Sequence, residues 1–374
     1  MIGKIKKNYK VLVPEEMIIN HYYGELYGTY HDKSGVFNIF DSSMKVALRH
    51  YDYIGYIGEL ADNRGGIHGY WKDDSLYFEY EEIEFQVDIY SLTQNIFSRN
   101  TGILESVIMI EKTAIILGCG SVGSLIALEL CRSGVGCFVL IDNDIVEYHN
   151  LCRHQCNIYD VGEYKVSALK ERLLAINPAA VVDIKIGTVE TMPKEVFDEH
   201  CIKGKSIVIG CADNRTADVY ANSIAVMYKI PFISVGFWER AFAGEIFYYL
   251  PDKSMPCYKC ALGDGGELSN RASTNRRIYT NQEDLEKVNF EPGISVDINF
   301  VTTIGIKLIL DILNIGNKKF TPRVLDSLKQ YTLVCNTNKT EIGGELADIF
   351  SYPLQVTTSL KVGYGNNCPP CEFE

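Results

Sequence analysis

The chain has 374 residues and a formal net charge of −12, with 47% hydrophobic and 22% charged residues. This is enough apolar material for a large buried core, and the acidic excess argues against a general nucleic-acid binder, which would carry a basic excess or patch. No apolar run approaches the roughly 20 residues needed to span a bilayer, and the basic residues 1–10 lead into no stretch of signal-peptide character, so a cytosolic protein without membrane contact is expected.

Residues 1–95 are rich in Tyr, Phe and Gly, and the alternating stretches Ser75–Tyr80 and 85–90 read as short half-buried strands. They predict a separate small α+β domain that recognises a substrate or partner. From Lys112 the pattern changes. Thr113–Leu117 reads as a buried strand, Gly118-Cys-Gly-Ser-Val-Gly123 as a tight turn, Ser121–Arg132 as an apolar helix and 137–141 as a second strand. Strands at Val181–Ile186, Ser206–Gly210 and 231–235 alternate with helices near 165–175 and Arg215–Tyr228. That rhythm predicts a Rossmann-like α/β fold over 96–374, a mostly parallel sheet with helices on both faces. Residues 263–293 turn polar, long enough for a lid or binding loop, and an apolar helix over 296–313 follows.

The turn places Gly118, Gly120 and Gly123 where the backbone must bend and approach a phosphate, and the helix beginning at Ser121 aims its unpaired N–H groups at that anion. Asp142 ends the next strand, where a carboxylate can accept from ribose hydroxyls. This much fits nicotinamide, flavin and adenylate binders alike. Among the twelve cysteines, Cys257-Tyr-Lys-Cys260 and Cys368-Pro-Pro-Cys371 have the spacing of two bidentate knuckles around a tetrahedral Zn²⁺. Four thiolates leave no open coordination position, so the expected zinc site is structural, with a redox pair as the competing account.

Further elements follow in order: Asp142-Asn-Asp144, Asn150-Leu-Cys-Arg153-His154, Lys165 and Asp213-Asn214. With the glycine turn and both cysteine pairs, they resemble the ubiquitin-activating-enzyme-like adenylyltransferases (the ThiF/MoeB/HesA superfamily), from roughly Ser98 to the carboxyl terminus. The resemblance implies ATP and Mg²⁺ beside the zinc. Asp142 would bind the ribose, with Asp144 in the same nucleotide site; Asn150, Arg153 and Lys165 would bind the triphosphate; Asp213 would hold the magnesium, with Asn214 beside it. Arg99 would reach into the partner subunit's site, which implies a homodimer. The implied reaction is adenylation of the C-terminal carboxylate of a ubiquitin-like or sulfur-carrier protein, with a short ribosomal peptide as the alternative and a conjugating enzyme as a possible downstream partner.

The residue types suit that reaction. A terminal carboxylate, with a pKa near 3.5, is ionised at neutral pH and needs no general base; what it needs is cationic help in approaching a polyphosphate. No hydride-transfer apparatus supports a nicotinamide oxidoreductase, and a silent scaffold would not need this set. A thioester cysteine has no place in 263–293, which contains none. Cys119, Cys131, Cys137, Cys152, Cys156, Cys211 and Cys335 lie in or beside the turn, the Arg153 segment or apolar elements, and Cys201 follows a helix; none is assigned the role.

Overall fold

The computed structural model describes residues 9–59, 65–212, 214–238, 241–263, 293–336 and 357–363. It divides into two compact units: Met1–Thr101 with Leu174–Ala179, and Gly102–Leu173 with Ala180–Glu374. No helix among the described residues is long and apolar enough to cross a membrane.

Seven strands make the first unit: β1 (Lys10–Pro14), β2 (Gly24–His31), β3 (Val36–Ile39), β4 (Asp52–Ile57), β5 (Ile67–Lys72), β6 (Ser75–Tyr80) and β7 (Ile83–Tyr90). They close into a barrel in the order β1-β3-β2-β4-β5-β6-β7, sealed by parallel pairing of β1 with β7 from Lys10↔Gln86 to Pro14↔Tyr90. Alternation turns Val11, Val13, Leu26, Ile39 and Phe78 inward, each wholly buried. The helices here are short: α1 (Glu15–Ile19), α2 (Ser42–Ala47) and α3 (Leu92–Ile96). The turn joining β6 to β7 is Glu81-Glu82, and the one joining β5 to β6 is Asp73-Asp74; all four residues have positive φ (52°, 58°, 49° and 59°). These are two-residue hairpin turns of the kind that match strand twist, built without the glycine such positions favour.

In the second unit α4 (Ser106–Met109) leads into β8 (Thr113–Leu117), α5 (Ser121–Arg132), β9 (Cys137–Asp142), α6 (Lys165–Ile176), β10 (Val181–Ile186), α7 (Lys194–His200), β11 (Ser206–Gly210), α8 (Arg215–Tyr228) and β12 (Phe232–Phe237). After them come β13 (Ala243–Tyr249), α9 (Tyr258–Leu262), α10 (Ser295–Leu313), β14 (Tyr331–Cys335) and β15 (Thr357–Leu360). The eight-stranded sheet runs β10-β9-β8-β11-β12-β13-β14-β15. Its strands are parallel through β12 and antiparallel from β13 onward. Every residue of β8 and β11 is buried, as befits strands covered on both faces. On β12 the alternation is explicit: Ser234 bonds to Asp218 of α8, whereas Val235 lies 2.8 Å from where a Cβ at Gly305 of α10 would sit. The two helices therefore cover opposite faces. Chain direction across the sheet reverses between β8 and β11, which opens a crevice at the carboxyl ends of β8, β9 and β11.

Candidate active site

Backbone crowding fixes the glycine turn. Gly118 has φ +91°, and a Cβ there would stand 2.7 Å from the Ala212 nitrogen; a Cβ at Gly123 would meet the Gly118 carbonyl oxygen at 1.9 Å. Both positions demand glycine, the second so that α5 can pack onto the turn. At Gly120, the N-cap of α5, nothing lies within 4 Å of a Cβ, so its open side faces the crevice. Asp142 braces the arrangement: Oδ2 accepts from the Cys119 N–H at 2.6 Å and Oδ1 from the Asp144 N–H at 2.8 Å. His154 ties the other side. Its Nε2 lies 2.6 Å from the Cys119 carbonyl oxygen and its Nδ1 accepts from the Cys156 N–H at 3.0 Å. Since a carbonyl only accepts and an amide N–H only donates, the proton belongs on Nε2 and the ring is neutral. Burial lowers its pKa below the usual histidine range.

A cavity of about 710 Å³ opens beside this turn, lined by Gly118, Gly120, Ser121, Asp142, Asp144, Asn150, Arg153, Lys165 and Asn214. Residues named from the sequence on five different elements thus share one space. Lys165, at the start of α6 and buried, donates from Nζ to Asp144 Oδ2 at 2.7 Å. Asn150 accepts the Glu147 N–H on Oδ1 at 2.9 Å. Asn214 caps α8, its Oδ1 accepting from the Thr216 N–H at 2.9 Å. Gly123 does not line the cavity and serves packing. Asp213 lies outside the described residues. Arg99 is exposed in a short 3₁₀ turn, Ser98–Asn100, of the first unit.

The cavity continues past Asn214 along the ends of β12 and β13, where Val235, Gly236, Phe237, Trp238, Phe242 and Ile298 line it. Three charged residues that the sequence did not single out, Arg215, Asp218 and Glu245, lie there too. Glu245 is 8% exposed; its Oε1 accepts from Arg215 Nη2 at 2.9 Å, and its Oε2 from Trp238 Nε1 at 3.2 Å and the Tyr331 hydroxyl at 2.7 Å. Asp218 accepts from the Ser234 hydroxyl at 2.6 Å, yet burial pushes its carboxyl up to about 7. Among the described lining residues the cations are Arg153, Lys165 and Arg215, against Asp142, Asp144, Glu190, Asp218 and Glu245.

Cys211, at the cavity wall, and Cys119, in the turn, have thiols held well above the usual range by burial; Cys156 and Cys201 are pushed up to about 12. None of the four is poised as a thiolate at neutral pH. Cys257 and Cys260, at the start of α9, are buried with their Sγ atoms 3.7 Å apart. Two thiolates on a tetrahedral zinc at about 2.3 Å each would stand about 3.8 Å apart, so the pair fits such a site. Cys368 and Cys371 lie outside the described residues, and so does most of the polar stretch 263–293.

A model of the ThiF family matches residues 109–340. Ubiquitin-like modifier-activating enzyme 5 of Caenorhabditis elegans is 31% identical over 157 residues, covering 40% of this chain and 37% of the relative. The sulfur carrier protein ThiS adenylyltransferase of Bacillus subtilis is 33% identical over 158 residues, covering 41% and 44%. The chain thus spans about two fifths of the length of these curated relatives. Among solved structures, E. coli MccB with MccA-N7isoASN superposes with a TM-score of 0.51 at 21% identity, over 74% of this chain and 75% of that one. That likeness is one of fold.

Proposed function

The chain belongs to the ThiF family, and from that premise we propose that it uses ATP to adenylate the C-terminal carboxylate of a ubiquitin-like or sulfur-carrier protein, releasing pyrophosphate. One observation carries the reading: the glycine turn, Asp142, Asn150, Arg153, Lys165 and Asn214 line a single cavity. In the reaction a carboxylate oxygen bonds to the α-phosphorus while the bond to pyrophosphate breaks, and pyrophosphate departs with the electron pair. The amides at the start of α5 receive phosphate oxygens, Arg153 and Lys165 offset the charge of the polyphosphate, and Asp142 holds the ribose.

Even with Asp218 protonated, the described lining carries four carboxylates against three cations, so a polyanion would meet net repulsion there without a counter-ion. Asp144, with its side chain 60% exposed, and Asp213 are the carboxylates that would hold Mg²⁺. When bound, that ion supplies the positive charge the side chains lack. Cys257, Cys260, Cys368 and Cys371 would hold a structural zinc. Arg99 would complete the nucleotide site of a second copy in a homodimer.

The closed barrel of the first unit favours a folded partner over a short peptide. Among the described residues all seven strands are paired on both sides, which leaves no edge there on which an extended peptide could add a strand. Exchange of labelled pyrophosphate into ATP, dependent on Mg²⁺ and on an added carrier protein, is the test. Asp213→Ala or Lys165→Ala is expected to lower exchange by about a hundredfold or more. NADH oxidation without exchange would instead favour an oxidoreductase.

A further inference from the structure

We propose that Arg215 is the docking cation for the substrate's terminal carboxylate, an assignment that rests on the adenylation reading and adds a residue to it. Arg215 is the first residue of α8 and lines the cavity directly after Asn214. Its Nη2 is spent on Glu245, but its Nη1 is buried and has no hydrogen-bond partner among the described residues. A buried guanidinium nitrogen without an acceptor is uncommon, and an anion in the cavity that drew Nη1 out by a small turn of this side chain, which is 35% exposed, would remove the cost. The guanidinium is also held in place. Glu245 of β13 is gripped by Arg215 of α8, Trp238 after β12 and Tyr331 of β14, so four elements anchor the guanidinium through Nη2.

The order of groups along the sheet says which anion belongs there. Asp142 ends β9, the phosphate turn follows β8, and Asn214 and Arg215 follow β11, with neighbouring strands about 4.8 Å apart. An anion on Arg215 therefore sits one strand step from the phosphate turn, on the side away from the ribose carboxylate. Beyond it the wall turns apolar, with Val235, Phe237, Phe242 and Ile298, which suits the chain segment preceding a carboxylate rather than more phosphate. A single donor nitrogen also suits a carboxylate better than a polyphosphate, whose charge Arg153, Lys165 and the turn already address. Once the acyl-adenylate forms, the ionised oxygen has become part of a neutral ester-like carbonyl, and its bond to Nη1 weakens. Arg215 should thus act on substrate binding, raising KM when altered, more than on kcat.

Equilibrium dialysis of the full chain with labelled N-acetyl-diglycine and with N-acetyl-diglycinamide, each with and without Mg²⁺ and ATP, tests this. The wild type is expected to bind the acid about tenfold or more tightly than the amide. Arg215→Lys keeps a cation against Glu245 but lacks Nη1, and is expected to bind the acid only as weakly as the amide, with Mg²⁺-ATP affinity within about twofold of wild type. Should Arg215→Lys fail to fold, the double variant Arg215→Gln/Glu245→Gln removes the ion pair together and is expected to give the same loss. Equal binding of acid and amide by the wild type, no binding of either, or discrimination that survives in the variants would overturn the proposal. If the wild type fails to bind Mg²⁺-ATP, the adenylation reading falls, and the comparison without nucleotide still decides whether Arg215 receives a carboxylate.

Discussion

His154 holds the glycine turn against the Arg153 segment through two backbone groups, and both contacts require the neutral ring. Protonation would put a hydrogen on Nδ1 facing the Cys156 N–H. With its pKa lowered in the folded state, the unfolded chain binds more protons as pH drops below about 6.5, so this residue's contribution is complete above that value and is lost as pH falls toward the folded pKa. Asp218 works the opposite way. Its carboxyl, raised to about 7, keeps a proton that the unfolded chain releases, so its contribution declines as pH rises from about 4 to 7. Only a difference measurement separates them: between pH 7 and 5 the wild type should lose more stability to urea than His154→Gln, with a relative slope of at most about 1.4 kcal/mol per pH unit. Parallel curves would refute the role. His154 stood in the quoted Asn150–Arg153–His154 segment without a function because its partners are backbone atoms, which no side-chain pattern marks. Arg215 and Glu245 were hidden for another reason: their pairing joins a helix start to a strand 30 residues away.

The long helices and the parallel strands of the second unit were legible nearly to the residue, whereas the short helices α4, α7 and α9 were not bounded by the sequence. The expected Ser121–Arg132 and Arg215–Tyr228 match α5 and α8, and the expected 165–175 ends one residue short of α6. Buried parallel strands write continuous apolar runs, and their helices carry the intervening period, so local sequence suffices. The barrel was not legible in the same way. Strands such as Ser75–Tyr80 could be read from alternation, but closure depends on pairing β1 with β7, which no local pattern encodes. Nor did the turns announce themselves, since Asp73-Asp74 and Glu81-Glu82 replace the usual Asn-Gly signal. Holding side chains at positive φ is unfavourable, and Asp73 and Asp74 are exposed. Asp73→Asn/Asp74→Gly should therefore stabilise the first unit by roughly 1 kcal/mol. The urea midpoint followed at Trp71 in a Trp238→Phe background would report it; an unchanged or lower midpoint would show that the turn is unstrained.

At the scale of the whole molecule, charge decides what the cavity can accept. The chain carries a net charge of −12, and the described lining of the cavity is itself acidic, so free ATP has unfavourable fields both on approach and on arrival. On the proposed reading Mg²⁺ would change this twice, lowering the charge of the nucleotide and giving Asp144 and Asp213 a counter-ion. Nucleotide binding should therefore be conditional on the metal rather than merely strengthened by it. A ligand at a hundredfold excess over its Kd stabilises the state that binds it by about 2.7 kcal/mol. For a unit of this size that corresponds to a rise of roughly 5 °C or more in melting temperature. The two tryptophans, Trp71 in the barrel and Trp238 on the cavity wall, let the effect be located. In a Trp71→Phe background, the melting transition reported by Trp238 should shift upward with ATP and Mg²⁺ and stay in place with ATP and a chelator. An equal shift without the metal would mean that side-chain cations alone suffice, and that the acidic excess of the lining does not govern how this protein takes up its nucleotide.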